Sequence, residues 1–475
     1  MVILKENTFV EFGKKIVSVS SVVLFFSVLG CKVKTPPANE DLQKEAFTHF
    51  VLPSEWKGAK GDGSVDTSQI AQNWVGNFND PVLDSLVSEG LRYNSDLLVS
   101  STRIEQAAGY VNMSKAALRP TLNVLGRGGT KMGEDFSLGL SGGLISASWE
   151  IDLWGKLRNA RSASIAGYQA VQEDYKAAQF SIAGSIVRSW YDATEIYLEE
   201  QLVKEMIATN TKLANLAKKR FDIGIGNQID YELAIANLNS TNDAQKKLQQ
   251  AYNNQLRALE VLVGRYPSAE IEVNKTLVSI NGKVPAGIPM QILERRPDLR
   301  AAEKRFAVAF HGVEAAKASR LPNVKLTGSF GVITSTVLQL RPDFQNPTGG
   351  VSAVGAMPIY QGGAIKASIE IKTAEQKQAV AEYGRAVLNA ISDVENSLEA
   401  IQTLDDRENY LNLAVKSNEK AFVLEQQLYD VGKTDMRSVS QQQLGLYASK
   451  ITLLRLQSEK ISQRVSLYLA LGGTL

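Results

Sequence analysis

Cysteine and histidine are nearly absent from this sequence. One cysteine, Cys31, and two histidines, His49 and His311, serve a chain of 475 residues. That excludes a disulfide framework and Cys-rich zinc sites, and leaves little for histidine-based catalysis. Both histidines are read as structural or surface residues. An excess of one charge is missing too: 52 Lys and Arg stand against 50 Asp and Glu, a formal net charge of +2. Nucleic acid is therefore not an expected partner, since phosphate recognition needs a basic face. The apolar run at residues 16–30 falls short of the ~20 residues of a transmembrane helix. The seven methionines are scattered, which speaks against a Met-rich path for soft metal ions. No metal site and no catalytic residues can be assigned. Scattered carboxylates are the sole support for a secreted carboxylate-pair hydrolase. The length still leaves ample material for a core or for more than one domain.

Proline is also absent from Gly363 to Tyr429, a stretch rich in good helix formers. Val387, Ile391, Val394, Leu398 and Ile401 recur there at spacings of 4, 3, 4 and 3, the seam of a coiled coil. A helix of roughly 65 residues rises about 100 Å, far more than a globular core requires. Glu370, Lys372, Glu375, Glu382, Arg385 and Asp393 exclude a membrane span. The seam is read as packing against neighbouring helical columns.

At the N-terminus, Lys5, Lys14 and Lys15 precede the apolar run 16–30, the pattern of a secretory signal. Val28-Leu29-Gly30-Cys31 resembles a bacterial lipobox. Diacylglycerol and a fatty acid on Cys31 would anchor the chain to a membrane without spanning it. An ordinary signal peptide with an incidental cysteine is the alternative. Lys32 to Lys60, with Pro36, Pro37, Pro53 and Gly58, reads as an extended tether or wrapping arm.

The rest of the chain is a duplication. Asn94-Ser95-Asp96-Leu97 returns as Arg296-Pro297-Asp298-Leu299, and Arg119-Pro120 as Leu321-Pro322, each 202 residues on. Further along, Gly155 matches Gly363, Phe221-Asp222-Ile223-Gly224 matches Tyr429-Asp430-Val431-Gly432, and Leu262-Val263-Gly264 matches Ala470-Leu471-Gly472, each 208 residues on. Six residues are thus inserted between Pro322 and Gly363. Each half predicts a helix (Ser95–Leu118; Asp298–Arg320), a β-hairpin (121–150; 323–358) and a long helix (Lys156–Arg220; Ala364–Leu428). A glycine break at Gly224 or Gly432 and a second helix (Ile229–Val263; Met436–Leu471) complete it. The expected division is a signal at 1–30, a lipidated arm and equatorial segment at 31–94, and the first repeat at 95–264. An equatorial linker at 265–297 and the second repeat at 298–472 follow. Pro267, Pro285 and Pro289 prevent the linker from being one helix, and Ile271-Glu272-Val273 is a candidate short strand.

In the hairpins, Val324, Leu326, Gly328, Phe330 and Val332 alternate with Lys325, Thr327, Ser329 and Gly331. Leu122, Val124 and Gly126 alternate with Asn123, Leu125 and Arg127. The return strands are expected at Phe136–Trp149 and Gly349–Pro358. Leu138, Leu140, Gly142 and Leu144 would form the apolar face of the first, and polar tips fall at Lys131–Asp135 and Thr334–Thr348. Strands apolar on one face and small or polar on the other are the signature of an outer-membrane β-barrel. A soluble hairpin packed on a helix is the alternative. Four strands cannot close a barrel, which takes about eight. Open sheet edges cannot sit in lipid. Other copies of the chain must complete the sheet, in closed symmetry.

These features resemble a known family. Phe78-Asn79-Asp80-Pro81-Val82-Leu83, Trp149 to Arg158, Val284-Pro285-Ala286-Gly287-Ile288-Pro289, Leu293-Glu294-Arg295-Arg296-Pro297-Asp298-Leu299 and Pro358 to Gly363 resemble motifs of TolC-type outer-membrane factors. The match is to the NodT/OprM-like lipoprotein subgroup. The resemblance implies a mainly α chain with a transmembrane β-barrel. It implies a homotrimer whose 12-stranded β-barrel continues into a 12-helix α-barrel reaching the periplasm. It also implies a passive duct rather than an enzyme, working with a periplasmic adaptor, an inner-membrane resistance-nodulation-division pump and outer-membrane lipids.

Function in such a duct would concentrate at the helix breaks, where the periplasmic aperture must be gated. Asp230 matches the family's acidic aperture position. Gln441 stands where many relatives have Asp, and Asp435 and Arg437 lie nearby. Arg220 and Tyr429 are candidate closing contacts. The bland alternative for Asp230 and Asp435 is helix N-capping. Gly224 and Gly432 suit helix C-termini, and Gly155, Gly362 and Gly363 suit a strand-to-helix change. Trp149 and Trp154 fit either an interfacial belt or packing. A lipid-anchored periplasmic coiled-coil spacer is the rival reading, but a spacer has no use for two amphipathic hairpins.

Overall fold

The computed structural model describes residues 33–48, 53–58, 65–66, 73–127, 140–278, 284–335 and 348–473. The signal segment, Cys31, His49, the first hairpin tip at Lys131–Asp135, the start of its return strand at Phe136–Gly139 and most of the second tip (336–347) lie outside them. The described helices are α1 (Asn39–Ala46), α2 (Pro81–Tyr93), α3 (Ser95–Ala116), α4 (Lys156–Asp222), α5 (Gln228–Val263), α6 (Pro289–Arg295), α7 (Pro297–Ala318), α8 (Ala364–Asp430) and α9 (Met436–Ala470). The strands are β1 (Val65–Asp66), β2 (Thr121–Arg127), β3 (Leu140–Ile151), β4 (Val284–Pro285), β5 (Asn323–Ser335) and β6 (Thr348–Ala356).

The duplication holds at the level of geometry. α3 and α7 each have 22 residues and α4 and α8 each have 67. In the first hairpin Thr121 pairs with Ser148, and in the second Asn323 pairs with Ala356. Those are the same rungs under the two sequence offsets.

The chain forms two compact units, and they are not the two repeats. One comprises Met1–His49, Arg103–Gln172 and Ala301–Gly384; the other comprises Phe50–Thr102, Glu173–Arg300 and Arg385–Leu475. Each unit draws on both repeats, because the hairpins of the two repeats pair with each other and helices of both share one core.

The first unit holds a four-stranded antiparallel sheet in the order β2-β3-β5-β6. The arm is not wholly extended. Asn39–Ala46 forms α1, with Glu40 and Asp41 in its first turn and Lys44 in its last, matching the helix dipole. Leu42 is buried, Tyr383 Oη donates to Asn39 Oδ1 at 3.3 Å, and Phe47 stacks on Tyr383 with centroids 6.2 Å apart. His311 is buried as a structural residue, Nδ1 lying 3.0 Å from Asn159 Oδ1.

The second unit is built on Trp74, Phe78, Trp190, Tyr191, Leu259 and Tyr468. Asp80 fixes its geometry. The carboxylate caps α2 by accepting from Val82 N at 3.1 Å and Leu83 N at 3.2 Å, with Pro81 in the first turn. It also accepts from Trp190 Nε1 at 2.9 Å and Asn274 Nδ2 at 2.6 Å, so a buried charge is fully hydrogen-bonded. Residues 271–273 are not a strand. Ile271 is buried in this core with Val273 packed beside it. The linker's strand is instead Val284–Pro285, parallel to Val65–Asp66. On α8, Val387, Val394 and Leu398 of the coiled-coil seam are buried, and Ile391 and Ile401 are half-buried.

Candidate functional site

Two sites emerge, one in each unit. The first is the sheet. Its register puts Val124, Ile145 and Phe330 in one row and Leu122, Ala147, Gly328 and Val351 in the next. Trp149 opposite Leu326 and Ile151 opposite Val324 continue the same face. Between Gly143 and Ile151 of β3 that face carries no polar side chain. Leu122 and Val124 are 74% and 79% exposed in the single chain. The other face carries Asn123, Ser146, Glu150, Lys325, Thr327 and Ser352, with Leu125, Leu144 and Val354 among them. One expectation is corrected here. Leu144 shares the polar face with Ser146, and the apolar face of β3 runs through Ile145, because Ile145 is the rung opposite Val124 and Phe330. Within the described residues both edges, β2 and β6, lack a partner strand.

The sheet meets the long helices at glycines in the left-handed region: Gly155 at φ 79°, Gly362 at 57° and Gly363 at 86°. Asp152 caps α4, accepting from Arg158 N at 2.8 Å and Leu157 N at 3.2 Å. Trp149 Nε1 donates to Leu118 O at 3.0 Å and Trp154 Nε1 to Pro322 O at 2.6 Å. Both indoles therefore fasten the helix-to-strand turns of their own unit.

The second site lies where α4 and α8 end. Gly224 N donates to Phe221 O at 3.0 Å and Ile225 N to Arg220 O at 3.0 Å; Gly432 N donates to Tyr429 O at 2.9 Å and Lys433 N to Leu428 O at 2.9 Å. This Schellman closure needs a left-handed residue, which glycine supplies without a Cβ clash: φ is 76° at Gly224 and 75° at Gly432. Leu213 and Ala217 of α4, Ala234 of α5, Tyr429 of α8, and Met436 and Val439 of α9 pack into one apolar cluster. Tyr429 is 2% exposed.

Polar groups rim that cluster. The Arg220 guanidinium lies over the Tyr429 ring, 4.9 Å from its centroid, and Nη1 donates to Tyr429 O at 2.5 Å. A cation in the last turn of α4 thus meets a terminal carbonyl of α8, where the helix dipole favours it. Asp230 Oδ1 accepts from Met436 N at 3.3 Å, tying the first turn of α5 to the start of α9. Burial pushes the Tyr429 hydroxyl pKa up, the Asp230 charge adds to it, and Arg220 opposes it. Thr434 Oγ1 donates to Glu425 Oε1 at 2.5 Å.

The two aspartates differ. Asp435 is the N-cap of α9, accepting from Ser438 N at 2.9 Å, and that bond is the main cause holding its carboxyl below the usual range, Arg437 adding a smaller effect. Asp230 is not a cap. Asn227 caps α5, accepting from Ile229 N at 3.0 Å. Arg437 and Gln441 are exposed, one turn apart on α9. Sequence reasoning missed Asn227, whose place after Gly226 marks a helix start. It also missed Glu425, for which no local signal exists.

A mainly helical subunit carrying amphipathic antiparallel strands with two unpaired edges is an outer-membrane channel component. The family model described as "Outer membrane efflux protein" matches residues 86–265 and 288–473. The chain belongs to the outer membrane efflux protein family and works in the outer membrane as the channel component of an efflux system. It is 27% identical over 471 residues to the "Pyoverdine export outer membrane protein OpmQ" of Pseudomonas putida, covering 95% of this chain and 96% of that one. It is 28% identical over 427 residues to the "Cation efflux system protein CusC" of Escherichia coli, covering 87% and 91%. The fold matches the outer-membrane channel CmeC of Campylobacter jejuni with a TM-score of 0.81 at 21% identity, covering 94% of each chain. It matches the outer-membrane channel OprN with a TM-score of 0.80 at 22% identity, covering 94% and 98%.

Proposed function

We propose that the protein is the passive duct of a tripartite exporter, assembled from three copies and gated at the helix ends. The observation that carries this reading is the sheet: an apolar face suited to lipid, a polar face suited to a water-filled lumen, and two edges that lipid cannot satisfy. Further copies remove both edges at once. Arg220, Tyr429 and Asp230 form the closed latch of the periplasmic aperture, Asp435 caps the helix that Asp230 ties down, and Arg437 and Gln441 lie on the neighbouring exposed face. Few polar links and one small apolar cluster hold the two helix breaks, so the breaks can part without unfolding a helix. A periplasmic adaptor and an inner-membrane resistance-nodulation-division pump supply opening and energy. No reaction is catalysed by the duct itself.

Cargo is chosen by the pump. One similar relative is named for pyoverdine export and another for cation efflux, so what they share with this chain is the conduit. Cys31 carries diacylglycerol and a fatty acid, which add an anchor beside the barrel; labelled palmitate incorporated by the wild type should be lost in Cys31→Ala. The central test is reconstitution in planar bilayers. A trimer by mass in detergent with nucleotide-independent conductance is expected. A monomer without conductance would favour the coiled-coil spacer instead.

A further inference from the structure

Charge is scarce on the polar face of the sheet. From the row of Leu125, Leu144, Gly331 and Thr348 to the strand ends beside the helices, that face carries two charged side chains, Glu150 and Lys325. The two rows between are uncharged. Thr121, Ser148, Thr327 and Ser352 form one, with Thr327 Oγ1 and Ser352 Oγ 2.7 Å apart; Asn123, Ser146, Ser329 and Gly350 form the other. Glu150 and Lys325 are direct cross-strand partners. The carboxylate nevertheless bonds elsewhere: Lys156 Nζ, at the start of α4, donates to Glu150 Oε1 at 2.6 Å. Lys325 is exposed and has no ion pair among the described residues. Beside this group Asp152 and Arg158 cancel, Arg158 Nε donating to Asp152 Oδ2 at 3.1 Å. Two cations thus stand against one carboxylate.

We propose that Lys325, Lys156 and Glu150 form a charge filter in the outer-membrane part of the duct, a ring with one positive charge in surplus per copy that favours anionic cargo and slows polycations. This rests on the reading of the polar face as the lumen of a trimeric duct, and it names the residues that bias what passes. The pump still chooses the cargo. The ring sets the sign of charge that leaves most readily.

A hydroxyl both donates and accepts, so the hydroxyl rows serve hydrated groups of either sign and do not sort cargo by charge. Sorting falls to the one charged row, as it does where rings of charged side chains line a channel. Pinning the strand register explains these charges less well, and the duplication supplies the comparison. The equivalents of Lys325, Glu150 and Lys156 in the other repeat are Asn123, Pro358 and Ala364, all neutral. The first hairpin still pairs on the same rungs as the second. Charge is therefore confined to the central strand pair, β3 and β5, and three copies would set three equal clusters around the bore. Such a field reaches about 10 Å in 0.1 M salt and about 30 Å in 0.01 M salt. It grows with the charge of the cargo, so multivalent ions feel it most.

The reactivity of a cysteine placed in the ring's field reads the local potential, whatever the state of the distant helix ends. Ser329 lies on the same face as Lys325, four residues along β5, or about 13 Å away. Ser329→Cys is made in the full-length protein and reconstituted in liposomes. Its modification by anionic methanethiosulfonate ethylsulfonate is compared with that by the cationic ethyltrimethylammonium analogue. Each rate is taken relative to a free thiol in solution and corrected for the chain that keeps Cys31 alone. In ~0.01 M salt the anionic reagent should lead about threefold, and the lead should vanish in ~1 M salt, where the screening length is ~3 Å. Lys325→Gln should lower the ratio of the two rates about threefold and Lys325→Glu about tenfold. Ile145→Cys, on the apolar face, should react with neither reagent. A reactive Ser329→Cys whose ratio ignores both salt and the Lys325 variants overturns the filter and leaves the duct reading intact. A Ser329→Cys inert to both reagents, or an Ile145→Cys that reacts as fast, overturns the duct reading as well.

Discussion

Arg220→Ala is the most informative perturbation of the latch. It removes a charged donor from Tyr429 O and a guanidinium from the Tyr429 ring. A hydrogen bond from a charged group contributes ~1.5–3 kcal/mol, and a half-buried guanidinium over the buried Tyr429 ring adds ~0.5–1 kcal/mol. Arg220 is half-buried, so solvent screens part of this, and ~2 kcal/mol per copy is a fair working figure. At ~1.36 kcal/mol per decade that shifts the balance between joined and parted helix ends about thirtyfold. Single-channel recording in planar bilayers should show a larger open fraction or a higher closed-state conductance. Arg220→Lys should fall between, since an ammonium keeps the charge but cannot stack and donate as a planar fork. A trimeric, folded Arg220→Ala protein with wild-type conductance and open fraction would refute the latch.

Asp230→Ala should act in the same direction but more weakly, because one 3.3 Å bond to Met436 N is lost; unchanged conductance relative to wild type would count against it. The two glycine breaks should respond unequally. At Gly224 an added Cβ meets open space, so Gly224→Ala costs about 1–2 kcal/mol for the left-handed backbone alone. At Gly432 the new Cβ would also lie 2.9 Å from Arg220 Nη2, so Gly432→Ala should both destabilise and mimic part of Arg220→Ala. Equal thermal midpoints and equal conductances for the two variants would contradict this. Asp80→Ala should lower stability by ~3 kcal/mol, since it strips the α2 cap and leaves the buried Trp190 donor and the half-buried Asn274 donor without their acceptor; a thermal midpoint within experimental error of wild type would disprove the clamp. Burial holds the His311 pKa below its ordinary 6.5, with Glu314 opposing. The unfolded chain therefore takes up the proton first, and stability present above about pH 6.5 declines as pH falls below it. His311→Gln should flatten that slope in pH-dependent unfolding.

Much of this molecule was legible in one dimension because its elements are long and repeated. The helix ends follow from Gly224 and Gly432, the seam on α8 from its 4-3 spacing, and the pairing of the two halves from two fixed offsets. Errors fell where partner choice overrides local pattern. Leu144 looked like a core-face residue by alternation, but its strand takes its parity from Val124 and Phe330 across the ladder. Ile271–Val273 looked like a strand by composition, but those side chains serve the core around Trp190. Asp230 and Asp435 looked equivalent. One caps a helix and the other reaches across to the start of α9, a distinction set by Asn227 having already taken the cap.

The sequence alone determined the periodicities, the breaks and the duplication, because each is a local consequence of backbone geometry and side-chain spacing. Only the tertiary structure decided which distant residues meet: Asp80 with Trp190 Nε1, 110 positions on, and Asp230 with Met436 N, 206 positions on. Such contacts depend on where helices and strands from distant segments come to lie, and no local pattern encodes that.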